Sequence, residues 1–306
     1  MKLPHLDPHM DFPTYLADPA DEPSLTSSLI RQLLSTAPRK VWEETKRLNK
    51  DAKSKDKTAF DLGSAAHEYF TSDGVGVVEL HFDAYRSKEA KDARDAVRAD
   101  GKTPILTANM GRVRNMAVAA WEQMEQNKEE IKDLRAADPE TSIFWQEDGV
   151  ICRARPDFYN IEASVMFHYK TTAVSLGNDL AKFAASQKWH HIAAHYAAAG
   201  QALTGRITRQ VFIVQEVDEP HLLKTVELDA TFIETGTMRR RRALYLWGRC
   251  LTNNMWPGFT SHTQKLEMPE WEERNEIDAK DAENDATSVG KDLLDIATRW
   301  QAPEVI

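Results

Sequence analysis

The sequence predicts an α/β fold, a central mixed β-sheet flanked by helices. Three observations carry that prediction. Strand-like runs cluster at 141–146, 150–154 and 165–169. A long helical stretch at 178–203 separates them from two more strand-like runs, 210–216 and 222–228. Helical spacing dominates the rest of the chain on both sides. At 306 residues and 42% apolar content, the chain can bury a sizeable core in one large domain or two modest ones. No internal repeat is visible.

The elements follow in order. Residues 1–23 are rich in Pro, Asp and His without periodicity and read as an extended or poorly ordered arm. Ser24 or Thr26 caps a helix that starts near Ser27, with Leu29, Ile30, Leu33 and Leu34 at helical spacing. Pro38 opens a second helix that continues through Trp42 to about Leu48. A charged linker at 51–57 follows, then a helix over 58–70 with Leu62, Ala65, Ala66 and Tyr69 on its buried side. Residues 75–80 make a short strand, 83–104 are highly charged and read as exposed, and Tyr85 to Gly101 read as a mobile loop able to cover a substrate. Residues 109–128 form a helix carrying Met110, Val113, Met116, Ala117 and Ala120, which restarts over 131–137. Asp148-Gly149 signals a hairpin between the first two strands of a meander. Asp218-Glu219-Pro220 turns the last strand pair. A helix over 231–253 ends at Trp256-Pro257-Gly258.

Charge is unevenly spread. Residues 265–306 carry 12 acids against 5 bases, a net of −7, within a chain total of −9. The remaining body is nearly neutral and compatible with a nucleic-acid partner. No run of about 18 apolar residues predicts a membrane span. The first residues lack the layout of a secretory signal. Cys152 and Cys250 give no disulfide framework, so a cytoplasmic protein with reduced thiols is expected.

The chemistry-bearing residues cluster late in the strand region. Asp157 follows Arg155-Pro156 at the end of an apolar run, and Lys170 closes Val165-Met166-Phe167-His168-Tyr169. A carboxylate on one strand beside a lysine on the next suits phosphodiester hydrolysis. A divalent metal there lowers the pKa of water and screens phosphate charge, and the lysine steadies the attacking hydroxide. Alternation puts His168 and Lys170 on one strand face and Phe167 and Tyr169 on the other. His67 projects one turn beyond Gly63 on a helix of small residues, either as a packing histidine or as a ligand. His191 and His195, at i,i+4 spacing, lack the acidic general base of a metalloprotease helix and read as one edge of a partly exposed, Ala-rich helix. Arg239, Arg240, Arg241 and Arg242 form the strongest basic cluster, a solvated helix face or a set of phosphate contacts.

Together these pieces resemble the RecE-like (exodeoxyribonuclease VIII-type) branch of the PD-(D/E)XK nucleases, over roughly residues 24–260. The resemblance runs through Leu25-Thr26-Ser27-Ser28 with Pro38, Gly63…His67, Glu140-Thr141-Ser142, Arg155-Pro156-Asp157, Lys170-Thr171-Thr172, Phe183…Trp189…Tyr196 and Trp256-Pro257-Gly258. It implies a restriction-endonuclease-like fold and a metal-dependent exonuclease that resects double-stranded DNA ends in phage recombination. The nuclease domain would span 24–262, with an acidic tail at 263–306. The resemblance also implies His67 and Asp157 as metal ligands, Lys170 as the residue that activates water and Glu140 as a supporting carboxylate. Trp189 and Tyr196 become supporting aromatics. Arg155 and the arginines at 239–242 are the candidate DNA contacts. A homo-oligomeric ring and a single-strand annealing partner are implied as well.

Two positions depart from the family pattern. The second acidic ligand is His168 here, and the helix glutamine is Ile192. A set of His67, Asp157 and His168 favours Mn2+ over Mg2+ and binds more weakly than carboxylates would. These departures keep a second expectation open: a nuclease-fold protein that grips DNA ends or a protein partner without cutting.

Overall fold

A computed structural model describes every residue except 53–60, 178, 260–262, 264 and 289–306. The chain divides into two compact units, Met1–Gly258 and Phe259–Ile306.

In the first unit the elements run β1 (His5–Asp7), α1 (Phe12–Ala17), α2 (Ser27–Ser35), α3 (Pro38–Glu44), α4 (Asp61–Ser72), β2 (Val77–Leu80), α5 (Lys88–Ala99), β3 (Thr103–Leu106), α6 (Thr107–Gln126) and α7 (Ile131–Arg135). They continue with β4 (Asp138–Pro139), β5 (Ser142–Glu147), β6 (Val150–Ala154), β7 (Phe158–Asn160), β8 (Val165–Thr172), α8 (Leu180–Ser186), α9 (Trp189–Thr204), β9 (Arg209–Glu216), β10 (Leu223–Glu227) and α10 (Ala230–Asn253). The second unit holds α11 (Glu270–Ser288).

The central sheet is mixed, in the order β10-β9-β8-β7-β4. Its one parallel pair, β8 with β9, is joined by the α8–α9 crossover; the other pairs are antiparallel. Strand alternation sorts β8 between two layers. Val165, Phe167 and Tyr169 pack with Ala66 and Phe70 of α4 and Met116, Ala120 and Met124 of α6. Met166 joins a second cluster with Leu33, Ala199, Leu244 and Trp247 from α2, α9 and α10. Helices thus cover both faces of the sheet, as the apolar patterning requires.

Local signals explain several boundaries. Thr26 caps α2 by accepting the Leu29 N–H, while Ser24 is taken up by the buried Asp18. Asp148 and Gly149 both have positive φ, 49° and 78°, as a tight hairpin of primed type demands. The charged linker predicted at 51–57 lies mostly outside the described residues.

Five expectations are corrected. The amino-terminal arm is ordered: β1 pairs with β5, and Tyr15 is buried against Phe144 with Leu3 and Met10 beside it. Apolar residues spaced too irregularly to show a period nevertheless fill one cleft. The stretch read as a mobile loop contains α5, capped by Ser87, with Ala90 and Arg94 buried one turn apart, and is followed by β3, which pairs in parallel with β2. The helix expected to reach Leu48 stops at Glu44. The helix expected over 178–203 is two, because Lys188 adopts φ 60° between α8 and α9. The meander is divided: β5 and β6 form a sheet with β1, and β7, too short to predict, joins β8 in the central sheet. That division falls at Arg155-Pro156-Asp157.

Among the described residues no helix is long and apolar enough to cross a membrane.

Candidate metal centre

Three elements meet where the sheets part. Helix α4 carries His67, the turn after β4 carries Glu140, and the segment between β6 and β7 carries Asp157. One ligand atom from each lies within 4.8 Å of the other two. His67 Nε2 is 3.0 Å from Asp157 Oδ1 and 3.6 Å from Glu140 Oε1. Among the described residues this is the one such group of His, Cys, Asp and Glu.

The backbone builds the group. Glycine at 63 lets α4 approach β8: a Cβ there would come within 2.7 Å of Thr171 Oγ1. His67, one turn later, therefore overhangs the strand, its ring 6.3 Å from that of Tyr169. Glu140 sits at φ 51°, a conformation few non-glycine residues adopt, and its N–H donates to the Asp157 carbonyl at 3.0 Å. That kink turns the Glu140 side chain back toward Asp157. Asp157 is buried, and Oδ2 accepts the Tyr169 N–H at 2.5 Å and faces Lys170 Nζ at 3.4 Å. Lys170 Nζ also donates to its neighbour's carbonyl at 2.8 Å.

Electrostatics distinguish the three ligands. Burial alone would raise the Asp157 pKa, but Lys170 and His67 outweigh it and hold the carboxyl well below the ordinary range. Burial alone would lower His67, yet the Asp157 charge and hydrogen bond, with Glu140 behind them, raise it. Glu140 is pushed up, first by burial and then by the Asp157 charge, against the pull of His67 and Arg155. Two carboxylates with one imidazole between them form a pocket that attracts positive charge. Oxygen and nitrogen donors in this number fit a hard or borderline divalent ion, so His67, Glu140 and Asp157 are the residues that would hold a metal.

The other candidate residues fall elsewhere. His168 lies beside the pocket but not in the group. Its Nε2 donates to Gln210 Oε1 at 2.8 Å, and its ring packs against Tyr196 and Phe212, with burial lowering its pKa to about 4. Tyr196 supports the site through the backbone, its hydroxyl donating to the Arg155 carbonyl at 3.0 Å. Trp189 stacks on Phe212 at 4.9 Å, and Ile192 packs in the same apolar cluster. His191 and His195 are both buried, so this edge of the helix is not the partly exposed one expected.

Two of the expected DNA contacts are corrected. Arg155, with a side chain only 10% exposed, is spent on Glu140 Oε2, Ser142 Oγ and the Met10 carbonyl. Arg240 is buried and holds Glu147 with two hydrogen bonds, because its position on α10 faces α9 rather than solvent. Arg239, Arg241 and Arg242 are exposed, with Arg239 donating to His190 Nε2 at 2.9 Å. The link from Arg155 to Glu140 escaped the sequence reading, since nothing in Arg-Pro-Asp says which carboxylate the arginine meets.

Comparison with solved structures gives the same fold. The chain matches the crystal structure of a "putative exonuclease" from Eubacterium rectale with a TM-score of 0.55 at 12% identity, covering 85% of this chain and 95% of that one. The crystal structure of SSO0001 matches at a TM-score of 0.26 and 12% identity, over 68% and 99% of the two chains, too loosely to bear on the fold. No curated protein matches the sequence. The model of the PDDEXK-like domain of unknown function (DUF3799) matches residues 27–268, which takes in His67, Glu140, Asp157 and Lys170. The chain belongs to that PDDEXK-like family, and its fold is that of the PD-(D/E)XK proteins.

Proposed function

We propose that this protein is a metal-dependent DNA exonuclease of the RecE-like, phage-recombination type, resecting double-stranded DNA ends by phosphodiester hydrolysis. The observation that carries this reading is the convergence of His67 Nε2, Glu140 Oε1 and Asp157 Oδ1, with Lys170 Nζ 3.4 Å from the same aspartate. A divalent ion bound there supplies Lewis acidity and a lowered pKa for water. With one imidazole among the ligands, Mn2+ suits the set better than Mg2+.

The chain's own residues do the rest. Asp157, kept ionised by Lys170 and His67, offers Oδ1 to the pocket while Oδ2 is fixed by the Tyr169 N–H. That fixation leaves the carboxylate no rotamer to search. Lys170 brings a positive charge to the pocket's edge, where it orients the attacking water and offsets negative charge that develops on the phosphate. Exposed Arg241 and Arg242 suit contacts to backbone phosphates, which bind without regard to sequence. A homo-oligomer, an annealing-protein partner and a cytoplasmic setting belong to the same proposal.

A second reading rests on His168. The strand position two before Lys170 offers no carboxylate, and its imidazole is engaged with Gln210. On that reading the protein holds DNA ends without cutting them.

Linear duplex DNA incubated with Mg2+ and, separately, Mn2+, beside a Lys170→Ala control, decides between the two. Metal-dependent digestion that the control loses supports the exonuclease. Undigested DNA that still binds the protein by its ends supports the second reading.

A further inference from the structure

The cation pocket is braced from outside by the amino-terminal arm, through one arginine. Arg155 Nε donates to Glu140 Oε2 at 2.5 Å, on the side of the carboxylate away from His67. Glu140 Oε1 is thereby left facing His67 Nε2 at 3.6 Å. The guanidinium does not hang free at its other end. Nη1 donates to the Met10 carbonyl at 2.8 Å and to Ser142 Oγ at 2.6 Å. The rings of Tyr15 and Phe12 lie 5.7 and 6.0 Å from its centre, within range of cation–π attraction.

The arm is itself held in place. Strand β1 is hydrogen-bonded along β5, Asp11 caps α1 by accepting the Thr14 N–H, and Asp18 pairs with Arg153 at 2.6 Å in a buried position. The chain of support therefore runs from the arm to Arg155 and from Arg155 to one oxygen of Glu140. A guanidinium suits this task because its planar fork addresses several acceptors at fixed angles and never loses its charge.

From this geometry we infer that Arg155 is a positioning residue for the cation site, holding Glu140 so that Oε1 points into the pocket, and that the Met10–Tyr15 stretch holds Arg155. The inference rests on the metal-binding reading of the pocket, but not on DNA cleavage. Outer partners of this kind set the orientation of a ligand and typically alter metal affinity by about 10- to 100-fold.

The test is calorimetric titration of the full chain with Mn2+. Arg155→Lys keeps the charge and loses the fork, and should weaken Mn2+ at least tenfold. Tyr15→Leu should weaken it less, in the same direction. Glu140→Gln supplies the reference. The double variant Glu140→Gln, Arg155→Lys should bind no worse than Glu140→Gln alone, because the arginine acts through that carboxylate. Circular dichroism and the unfolding midpoint separate a lost fold from a lost ligand. Arg155→Lys that is folded and binds Mn2+ as the unmodified chain does overturns the inference, and so do losses that add fully in the double variant. Should Arg155→Lys lower Mn2+ affinity while DNA stays uncut by the unmodified protein, the exonuclease reading fails and this assignment stands. An unmodified chain that takes up no Mn2+ overturns this assignment.

Discussion

Two clusters in this chain are made of the same residue types, and their electrostatics run in opposite directions. Where α9 meets α10, Glu147 is clasped by Arg240 at 2.6 and 2.8 Å, and that hydrogen-bonded pair lowers its pKa. Where α4 meets β8, Glu140 is pushed up by burial and by Asp157. The histidines diverge as well. His195 gives its Nε2–H to the Arg153 carbonyl at 3.0 Å, and burial with the Arg240 charge lowers its pKa to about 3. His67 is raised by Asp157 and Glu140. In the first cluster acid and base are matched locally, and burial with the Arg240 charge keeps the histidine neutral. In the second, two carboxylates share one imidazole, and the proton that His67 attracts stands where a metal ion would serve better. Residue type alone does not mark the site; the direction in which the fold pushes each group does.

The sharpest way to break the comparison is to unmatch the matched cluster. Glu147→Gln leaves Arg240 buried without its counter-charge and should cost about 3 kcal/mol, read as a lower urea midpoint. Mn2+ affinity, titrated well below that midpoint, should stay the same. A parallel fall in Mn2+ affinity would mean the two clusters are one coupled network.

The histidines supply the next largest effect, and the sign differs between them. His195 has a depressed folded pKa, so the unfolded chain takes up a proton first as pH falls below its usual 6.5. Its contribution is complete above that value and drains away between about 6.5 and about 3. The loss from pH 7 to pH 5 is about 2 kcal/mol. His67 has a raised folded pKa, so its contribution is complete below 6.5 and is lost as pH rises through the folded value. Urea midpoints across pH 5–9 should therefore climb and then decline. His67→Gln should remove the alkaline decline and leave the acid limb intact; an unchanged alkaline limb would contradict the charge assigned to His67.

A smaller effect tests the cost of holding a cation site open. Ionised Glu140 works against the fold, because burial and Asp157 both disfavour its charge. Glu140→Gln still accepts from Arg155 and should raise metal-free stability by up to about 1 kcal/mol while lowering Mn2+ affinity. Lower stability in the absence of metal would place Glu140 with Glu147, as a matched charge.

How much of this was legible in the sequence follows the range of the interactions. Thr26 as a cap, Asp148-Gly149 as a hairpin and the alternation of β8 are local signals, and each appears in the structure where the sequence placed it. His67, Asp157, Glu140 and Lys170 were legible through the order of short motifs rather than through any one of them. What the sequence hid depends on long-range partners. Arg155 and Arg240 both looked like phosphate contacts, since the sequence around an arginine does not say which carboxylate it will meet. Their acids lie 15 and 93 residues away. The amino-terminal arm hid for a similar reason: β1 takes its hydrogen bonds from β5, more than a hundred residues downstream, and Tyr15 packs on Phe144 of the same strand. The break at Lys188 has no sequence signal that we can name.

The smallest predicted effect reaches back to how the pocket is assembled. Gly63 is required only if α4 must lie close against β8, and the obstacle to a larger residue is specific. A Cβ at 63 would be 2.7 Å from Thr171 Oγ1 but 3.9 Å from Thr171 Cβ, so the hydroxyl alone is in the way. Gly63→Ala should lose about 1 kcal/mol net, an overpacking cost of about 2 kcal/mol partly offset by the helix preference of alanine, worth about 1 kcal/mol. It should also weaken Mn2+ binding, because His67 rides on the displaced helix. In a Thr171→Ala background the same substitution meets ordinary van der Waals contact, and only the helix preference remains. There it should stabilise the protein and leave Mn2+ binding as it was in Thr171→Ala. A reversal of sign between the two backgrounds would show that one hydroxyl on β8 sets the distance at which α4 presents His67. The same loss in both backgrounds would mean that the glycine serves something other than this contact.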